Sequence, residues 1–254
     1  MNDIHRDIEE IVEELRSQTN EVNREGMARF GINTEHAFGM SIPRLRGMAK
    51  LMGRNHERAL ALWSSGWHEA RLLAVFTDEP DKVTTKQMDA WARDFNSWDI
   101  TDQCCSNLFI RTPFAEQKIR EWAVRDDEFV RRAAFAMLAA LAVHSRTHDD
   151  EDFRSFLPLI AEAANDERNF VKKAVNWALR QIGKRNLALH ANAIAIADEL
   201  ATRDERASRW IARDALRELH DESTIGRIQK KESRQKTAHT KVRMPRNGLL
   251  VKHD

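Results

Sequence analysis

The chain has 254 residues, 42% hydrophobic and 32% charged, enough apolar material for one sizeable core or one extended array of repeats. Its 41 Lys/Arg nearly balance 40 Asp/Glu, which excludes a globally basic nucleic-acid binder and leaves any such contact to a local stripe. No apolar run reaches membrane-spanning length, the start is acidic and amphipathic rather than a signal or transit peptide, and the adjacent Cys104 and Cys105 offer neither a disulfide framework nor a metal-ligand spacing; a reducing cytoplasm is the expected compartment.

In chain order, apolar residues recur at helical spacing almost throughout, and only nine Gly and five Pro interrupt them. The first helix is predicted over about Asp3 to Ser17, with Ile4, Ile8, Ile11, Val12 and Leu15 on one side. The stretch Ser41 to Lys50 follows, where Ser41 suits an N-cap and Pro43 the first turn. Further helices are predicted at about 56–64, 67–77, 84–94, 98–110, 113–125, 128–143, 151–164, 168–182, 187–201 and 207–219.

A repeat runs through the second half. Phe129-Val-Arg-Arg-Ala-Ala reappears 41 residues later as Phe170-Val-Lys-Lys-Ala-Val, and again 40 residues on as Trp210-Ile-Ala-Arg-Asp-Ala. Glu69-Ala-Arg-Leu-Leu-Ala is a weaker copy with Arg71 in the basic slot. Acidic lead-ins at 126–128, 165–167 and 204–205 are expected to cap these helices. A period near 40 with two helices per unit predicts an all-α fold, a curved α-solenoid of HEAT-like repeats (an α-α superhelix). Stacking would put Arg132, Lys173 and Arg213 in register as a cationic ladder. A single domain is expected over 1–222. The segment 223–254 carries nine Lys/Arg against two carboxylates; it reads as a basic tail, either flexible or a DNA-contacting arm, and leaves the first 222 residues acidic overall.

Two segments carry chemistry. In Asn96-Ser-Trp-Asp-Ile-Thr-Asp102, Asn96 or Ser97 suits an N-cap, and Trp98 and Asp102 then lie about 40° apart on one helix face. Asp99 is the competing carboxylate, turned further from Trp98. In the second repeat copy, Trp177 follows Lys173 by four residues on the same side.

Five stretches together resemble the AlkD-like family of DNA alkylation repair glycosylases over about Phe38 to Leu219: Phe38 to Arg46, His68 to Val75, Ser97-Trp-Asp-Ile-Thr-Asp102, Phe129-Val-Arg-Arg-Ala-Ala134 and Val171-Lys-Lys-Ala-Val-Asn-Trp-Ala-Leu-Arg180. The resemblance implies a stack of HEAT-like repeats gripping duplex DNA on its concave face and excising N3- and N7-alkylated purines with no metal or other cofactor. It implies a site of Trp98, Asp102, Arg132 and Trp177. The partner implied is double-stranded DNA containing alkylated bases, which places the protein at the nucleoid in the cytoplasm; the sequence does not fix the oligomeric state, and a monomer is the default expectation.

The chemistry suits those residue types. An N3- or N7-alkylated purine is already cationic and leaves without protonation, so what must be stabilised is positive charge on the sugar. A fixed carboxylate, Asp102, does this and can orient water. Indole faces of Trp98 and Trp177 attract the same cation. Arg132 is expected to hold a phosphate bidentately, with Arg44, Arg71, Lys172, Lys173 and Arg213 as further backbone contacts. The plainer reading of Asp102 is a carboxylate placed near a helix start to favour the helix dipole, and Trp63, Trp67, Trp91, Trp122 and Trp210 read as packing residues, as do the two cysteines. The ten His form no metal-binding motif, and no glycine-rich nucleotide loop occurs. The rival readings are a non-catalytic HEAT-repeat DNA-binding protein and a protein-binding scaffold, the latter requiring Arg132 and Lys173 on the outer surface.

Overall fold

The computed structural model describes residues 3–242. Among the described residues there are fourteen α-helices and no strand: α1 (Asp3–Ser17), α2 (Glu21–Arg29), α3 (Ile42–Met52), α4 (His56–Ser64), α5 (His68–Thr77), α6 (Thr85–Arg93), α7 (Trp98–Asn107), α8 (Ala115–Ala123), α9 (Glu128–His144), α10 (Asp150–Ala163), α11 (Asn169–Gly183), α12 (Leu187–Ala201), α13 (Arg206–Leu219) and α14 (Glu222–Val242). The predicted helices are found within a few residues of their expected bounds. The architecture is the expected curved α-solenoid of HEAT-like repeats: α3, α5, α7, α9, α11 and α13 pack in series as one layer, termed inner, and α4, α8, α10 and α12 back them as a second.

The centre of the stack is α9. Beyond Arg131 and Arg132 near its start, its buried positions are small or apolar, with Ala133, Ala134, Ala136, Ala139, Ala140 and Ala142 all buried. Methyl side chains let α7, α8 and α11 approach it from three directions, so the helix is apolar all round rather than striped. The outermost repeat helix, α13, keeps a stripe instead: Ala207, Ile211, Ala215 and Leu219 are buried at helical spacing, while Arg213 and Arg217 face water. Trp63, Trp91 and Trp122 are buried, with the first two stacked 4.0 Å apart, and Trp67 stacks on Phe38; Cys104 and Cys105 are buried beneath α9.

The acidic lead-ins do not cap their own helices. Asp127, Arg168 and Glu205 occupy the N-cap positions of α9, α11 and α13 without a side-chain cap bond. They reach along the stack instead. Glu167 accepts from the Ala207 N–H at 2.9 Å, 40 residues on, and Asp166 pairs with Arg131 of the preceding repeat and with Arg168. Other ties have the same span: the Arg185 guanidinium donates to the Ala142 carbonyl and the Arg203 guanidinium to Ala161. These bonds make repeat register a matter of charge as well as of packing.

Two helices depart from expectation. The sequence over 21–29 lacks an apolar stripe, yet it forms α2, capped by Asn20 and with no buried residue. The chain across the expected boundary at 222 continues as α14, anchored by buried Thr224 and Ile228 and by Glu232 accepting from the Leu187 N–H. The last residues of the expected tail, 243–254, lie outside the described residues. The predicted 98–110 helix ends at Asn107, and a short 3-10 turn, Phe109–Arg111, follows.

The segment joining α2 to α3 is held by one buried carboxylate. Glu69 on α5 accepts from three backbone N–H groups, Phe38 at 2.9 Å, Gly39 at 2.7 Å and Met40 at 3.1 Å. Gly39 has φ +83°, and a Cβ there would meet the Asn20 carbonyl at 2.3 Å, so no other residue fits this approach. Replacing Glu69 by Ala strands three buried donors, each costing about 1–3 kcal/mol. We expect Glu69→Ala to lower the unfolding free energy by at least about 3 kcal/mol in urea denaturation, and Glu69→Gln, which keeps one acceptor oxygen, to lose less.

Candidate functional site

The start of α7 is organised by a carboxylate that faces inward. Ser97 occupies the N-cap position, but its hydroxyl donates to Asp99 Oδ1 at 2.8 Å rather than capping. The other oxygen of Asp99 lies 2.9 Å from Nε2 of the buried His68 at the start of α5. Burial pulls the His68 imidazole toward neutrality, yet the hydrogen bond and charge of Asp99, with Glu69 adding to them, outweigh burial and raise its pKa. Burial likewise disfavours the Asp99 carboxylate, and His68 and Ser97 more than offset it, holding Asp99 below its ordinary value. Both oxygens of Asp99 are therefore engaged, one by a hydroxyl of its own turn and one by a histidine of α5.

One turn on, Asp102 meets Arg132 of α9. The guanidinium is bidentate: Nε donates to Oδ1 at 2.9 Å and Nη2 to Oδ2 at 2.7 Å. Nη1 donates to the Phe170 carbonyl on α11 at 2.7 Å. Arg132 thus joins three successive inner helices and is almost fully buried, with 7% of its side chain exposed against 18% for Asp102. The fork expected to meet a phosphate is turned onto a carboxylate. Burial raises the Asp102 pKa; Arg132 counteracts this, and the nearby Asp99 charge adds to it, leaving the net direction upward.

Two cavities meet at the Trp98 indole. One, of about 780 Å³, is lined by Asp99, Asp102 and Trp177 together with Arg46, Arg111, Arg146 and His148. The other, of about 530 Å³, is lined by Arg132, Lys173 and Phe170 together with Arg29, Phe30 and Gly31. Trp98 borders both, and its Nε1–H donates to the Phe30 carbonyl at 3.0 Å, which fixes the ring. The four residues singled out in the sequence are thus brought together, with Trp177 and Asp102 on one cavity and Arg132 in the wall of the other.

The remaining expected contacts divide. Lys173 shares its cavity with Arg132, so the first two rungs of the ladder are adjacent; Arg213 is exposed on α13, and Arg44 on α3, and neither borders these cavities. Arg71 is drawn inward, over the Trp63 ring at 5.2 Å and toward Asp94. Lys172 sits over the Trp210 ring at 5.2 Å. The residues that sequence reasoning missed are Arg46, which donates to Gln103 and Asn107 of α7, and the loop cations Arg111 and Arg146. Arg46 was within a quoted motif; the loop cations belong to no repeat and carry no periodic signal. Among the described residues no group of three or more His, Cys, Asp or Glu is placed to hold a metal ion, and no helix is long and apolar enough to cross a membrane.

Comparison with known proteins bears on this arrangement. Residues 11–219 match the model of a family described as DNA alkylation repair enzyme. A solved structure of a protein from a family related to the HEAT-like repeat DNA glycosylases, with affinity for branched DNA structures, superposes with a TM-score of 0.70 over 87% of this chain and 95% of its own, at 19% identity. An engineered protein of known structure covers 87% of this chain and 99% of its own at 16% identity, with a TM-score of 0.38, too low to bear on the fold. No curated protein matches the chain.

The buried His68–Asp99 pair makes stability depend on pH in a definite sense. A histidine whose folded pKa is raised stabilises the fold fully below its unfolded value near 6.5 and loses that contribution as pH rises through the folded pKa. The depressed Asp99 contributes above its own unfolded value near 3.8 and loses it as pH falls. The expected result is that the gap in urea midpoint between the wild type and His68→Gln narrows from pH 6 to pH 9; a gap that stays constant would remove the charged pair as its source.

Proposed function

The chain belongs to the DNA alkylation repair enzyme family, and from that premise we propose that it is a DNA glycosylase that hydrolyses the N-glycosidic bond of cationic N3- and N7-alkylated purines in duplex DNA. The observation that carries the reading is the Asp102 carboxylate, held by a bidentate arginine, opening onto a cavity that two indoles also line.

In this reading the bond from C1′ to the base nitrogen breaks with its electron pair going to the purine, which neutralises the base and leaves the sugar as an oxocarbenium ion. Asp102 provides the fixed negative charge beside that cation, and pre-organised charge in a partly dry site needs no reorganisation as the reaction proceeds. Water then adds at C1′ and releases a proton, which Asp102, its affinity for protons raised by burial, is suited to accept. Trp98 and Trp177 present π-faces to the same cation. Arg132 acts through Asp102, orienting both oxygens. The backbone contacts then fall to cations at the cavity rims, Lys173, Arg46, Arg111 and Arg146, with Arg44 and Arg213 exposed further along the inner layer. Arg71 and Lys172, engaged with tryptophans, would have to swing out to contribute. The basic segment beyond 222 is proposed as an additional phosphate-binding arm on an otherwise acidic chain. Neither a metal nor an organic cofactor is needed for these steps, and a single chain supplies all the residues.

A second reading has its own support. The similar structure described above is of a protein with affinity for branched DNA, and the tight Asp102–Arg132 pair is equally compatible with a non-catalytic binder of unusual DNA. A protein scaffold fits less well, because Arg132 and Lys173 border a shared inner cavity.

The two readings part on one assay. Incubation with methylated duplex DNA and chromatography of the freed bases should show release of 7-methylguanine or 3-methyladenine, and Asp102→Asn should lower that release by about a hundredfold or more while DNA affinity persists. No release by the wild type would favour the binding-only reading; undiminished release by the variant would remove Asp102 from the mechanism. The acid limb of the pH–rate profile should lie above the ordinary aspartate range, since protonation removes the charge that the sugar cation needs. Arg132→Ala, which strips one partner from a largely buried pair, should cost about 3 kcal/mol of stability by denaturant titration and weaken excision as well.

A further inference from the structure

The cavity on the far side of Trp98 from Asp102 shares Trp98, Arg132 and Lys173 with the site described above, but no reacting atom is placed in it. Four elements build it: the end of α2 with Arg29, Phe30 and Gly31, the start of α7 with Trp98, α9 with Arg132, and the start of α11 with Asn169, Phe170 and Lys173. Its shape depends on Gly31, whose φ of +75° places the backbone against the Phe170 ring so closely that a Cβ would lie 3.0 Å from Cζ. Two backbone carbonyls in the lining hold side chains that border it. The Phe30 carbonyl holds the Trp98 indole, and the Phe170 carbonyl holds Arg132.

The lining has an uncommon composition. Phe30 is 74% exposed, an aromatic ring left at the mouth with nothing covering it. Trp98 and Phe170 supply two more aromatic surfaces. Lys173 and Arg29 bring positive charge, Arg29 facing only an exposed Glu25 at 3.6 Å, and no carboxylate lines the cavity. Aromatic faces beside cations, in a lining without a carboxylate, suit a ligand that is both a flat ring and an anion. A volume of about 530 Å³ lies in the range that takes a single small ligand. In a paired duplex the faces of the bases are covered by their neighbours, so only a base displaced from the stack can reach Phe30.

We infer that this cavity is a subsite for one unpaired nucleotide of the bound DNA, its base stacked on Phe30 and its phosphate met by Lys173 and Arg29. The inference rests on DNA being the ligand of the neighbouring site. Because both cavities share Trp98, the unpaired nucleotide would lie beside the reacting sugar.

The test is binding of undamaged DNA by fluorescence anisotropy, which requires no excision. Three probes with the same number of base pairs are compared: a paired duplex, the same duplex with a single extra adenine in one strand, and that duplex with an abasic nucleotide as the extra residue. The full-length wild type should bind the adenine bulge about tenfold more tightly than the duplex, the size expected for one stacked base, and the abasic bulge no better than the duplex. Phe30→Ala should bring the adenine-bulge preference to near unity, and Phe30→Trp should restore it; the backbone carbonyl that holds Trp98 is kept in both, and equal urea midpoints would show that folding is intact. Equal affinity for all three probes overturns the inference, as does an abasic bulge bound as tightly as the adenine bulge, since flexibility rather than stacking would then be recognised. A preference that survives Phe30→Ala overturns it as well. Failure of the glycosylase reading shows separately, as absence of base release from methylated DNA by a protein that still prefers the adenine bulge.

Discussion

The inner face of this molecule is organised around one ion pair. Arg132 is bound through both edges of its fork to Asp102 and through its remaining arm to the Phe170 carbonyl, so one buried side chain fixes the mutual register of α7, α9 and α11. Such a pair does little for net stability, because removing both charges from water offsets most of their attraction. Its effect is on geometry. A carboxylate held at two oxygens cannot rotate, and one that still keeps 18% of its side chain exposed can act on something outside the protein. Asp99 three residues earlier is also held at both oxygens, but by Ser97 and His68. Two aspartates within one turn thus border one cavity with different partners: Asp99 ties α7 to a histidine of α5, and Asp102 ties it to an arginine of α9.

The same principle, a polar group of one repeat satisfied by the next, recurs along the stack. Glu167 reaches Ala207, Asp166 reaches Arg131, and Asn176 donates to Asp214 at 2.6 Å. Each span approximates one repeat, so each bond reports whether neighbouring pairs of helices are in step. In a stack whose units bury their apolar faces only against neighbours, hydrophobic contact alone tolerates sliding; directional bonds between repeats do not. The site depends on that register, because Trp98, Arg132 and Trp177 come from three different inner helices.

The repeat pattern made the fold readable. Helical periodicity located most elements, and the 40-residue recurrence of an aromatic, basic and alanine-rich motif identified the stacking. It failed where the physics is not periodic. α2 buries nothing, so it left no stripe to detect; its cap, Asn20, was the only local sign. α14 is so polar that charge obscured two anchoring residues, Thr224 and Ile228. The candidate site was legible as a set of residue types, and Trp98 and Asp102 do share a cavity as their four-residue spacing implied. What spacing could not convey is how a guanidinium would be used. A helix pattern places the Arg132 backbone but does not reveal that a carboxylate 30 residues earlier faces it, and the same holds for Arg71, which Trp63 and Asp94 capture.

That difference between a cation's presence and its availability explains how an acidic solenoid can engage a polyanion. Counting basic residues in register overstates the surface charge, because arginines are the side chains most able to satisfy buried carboxylates and carbonyls with a planar fork. Here Arg132 is consumed inside the stack, and the partly exposed Arg131 and Arg168 are both taken up by the buried Asp166. The cations left facing outward on the inner side are fewer, and they come from other sources: Lys173 from the repeat, Arg46 from α3, Arg111 and Arg146 from loops. They ring the two cavities that Trp98 separates, and the buried arginines keep that ring rigid. Net charge near zero is then no obstacle, since what a phosphate backbone meets is a local rim held in place by neutralised pairs beneath it. A solenoid built this way separates its two uses of arginine by burial: the enclosed ones set the shape of the site, and the exposed ones set its attraction for a strand.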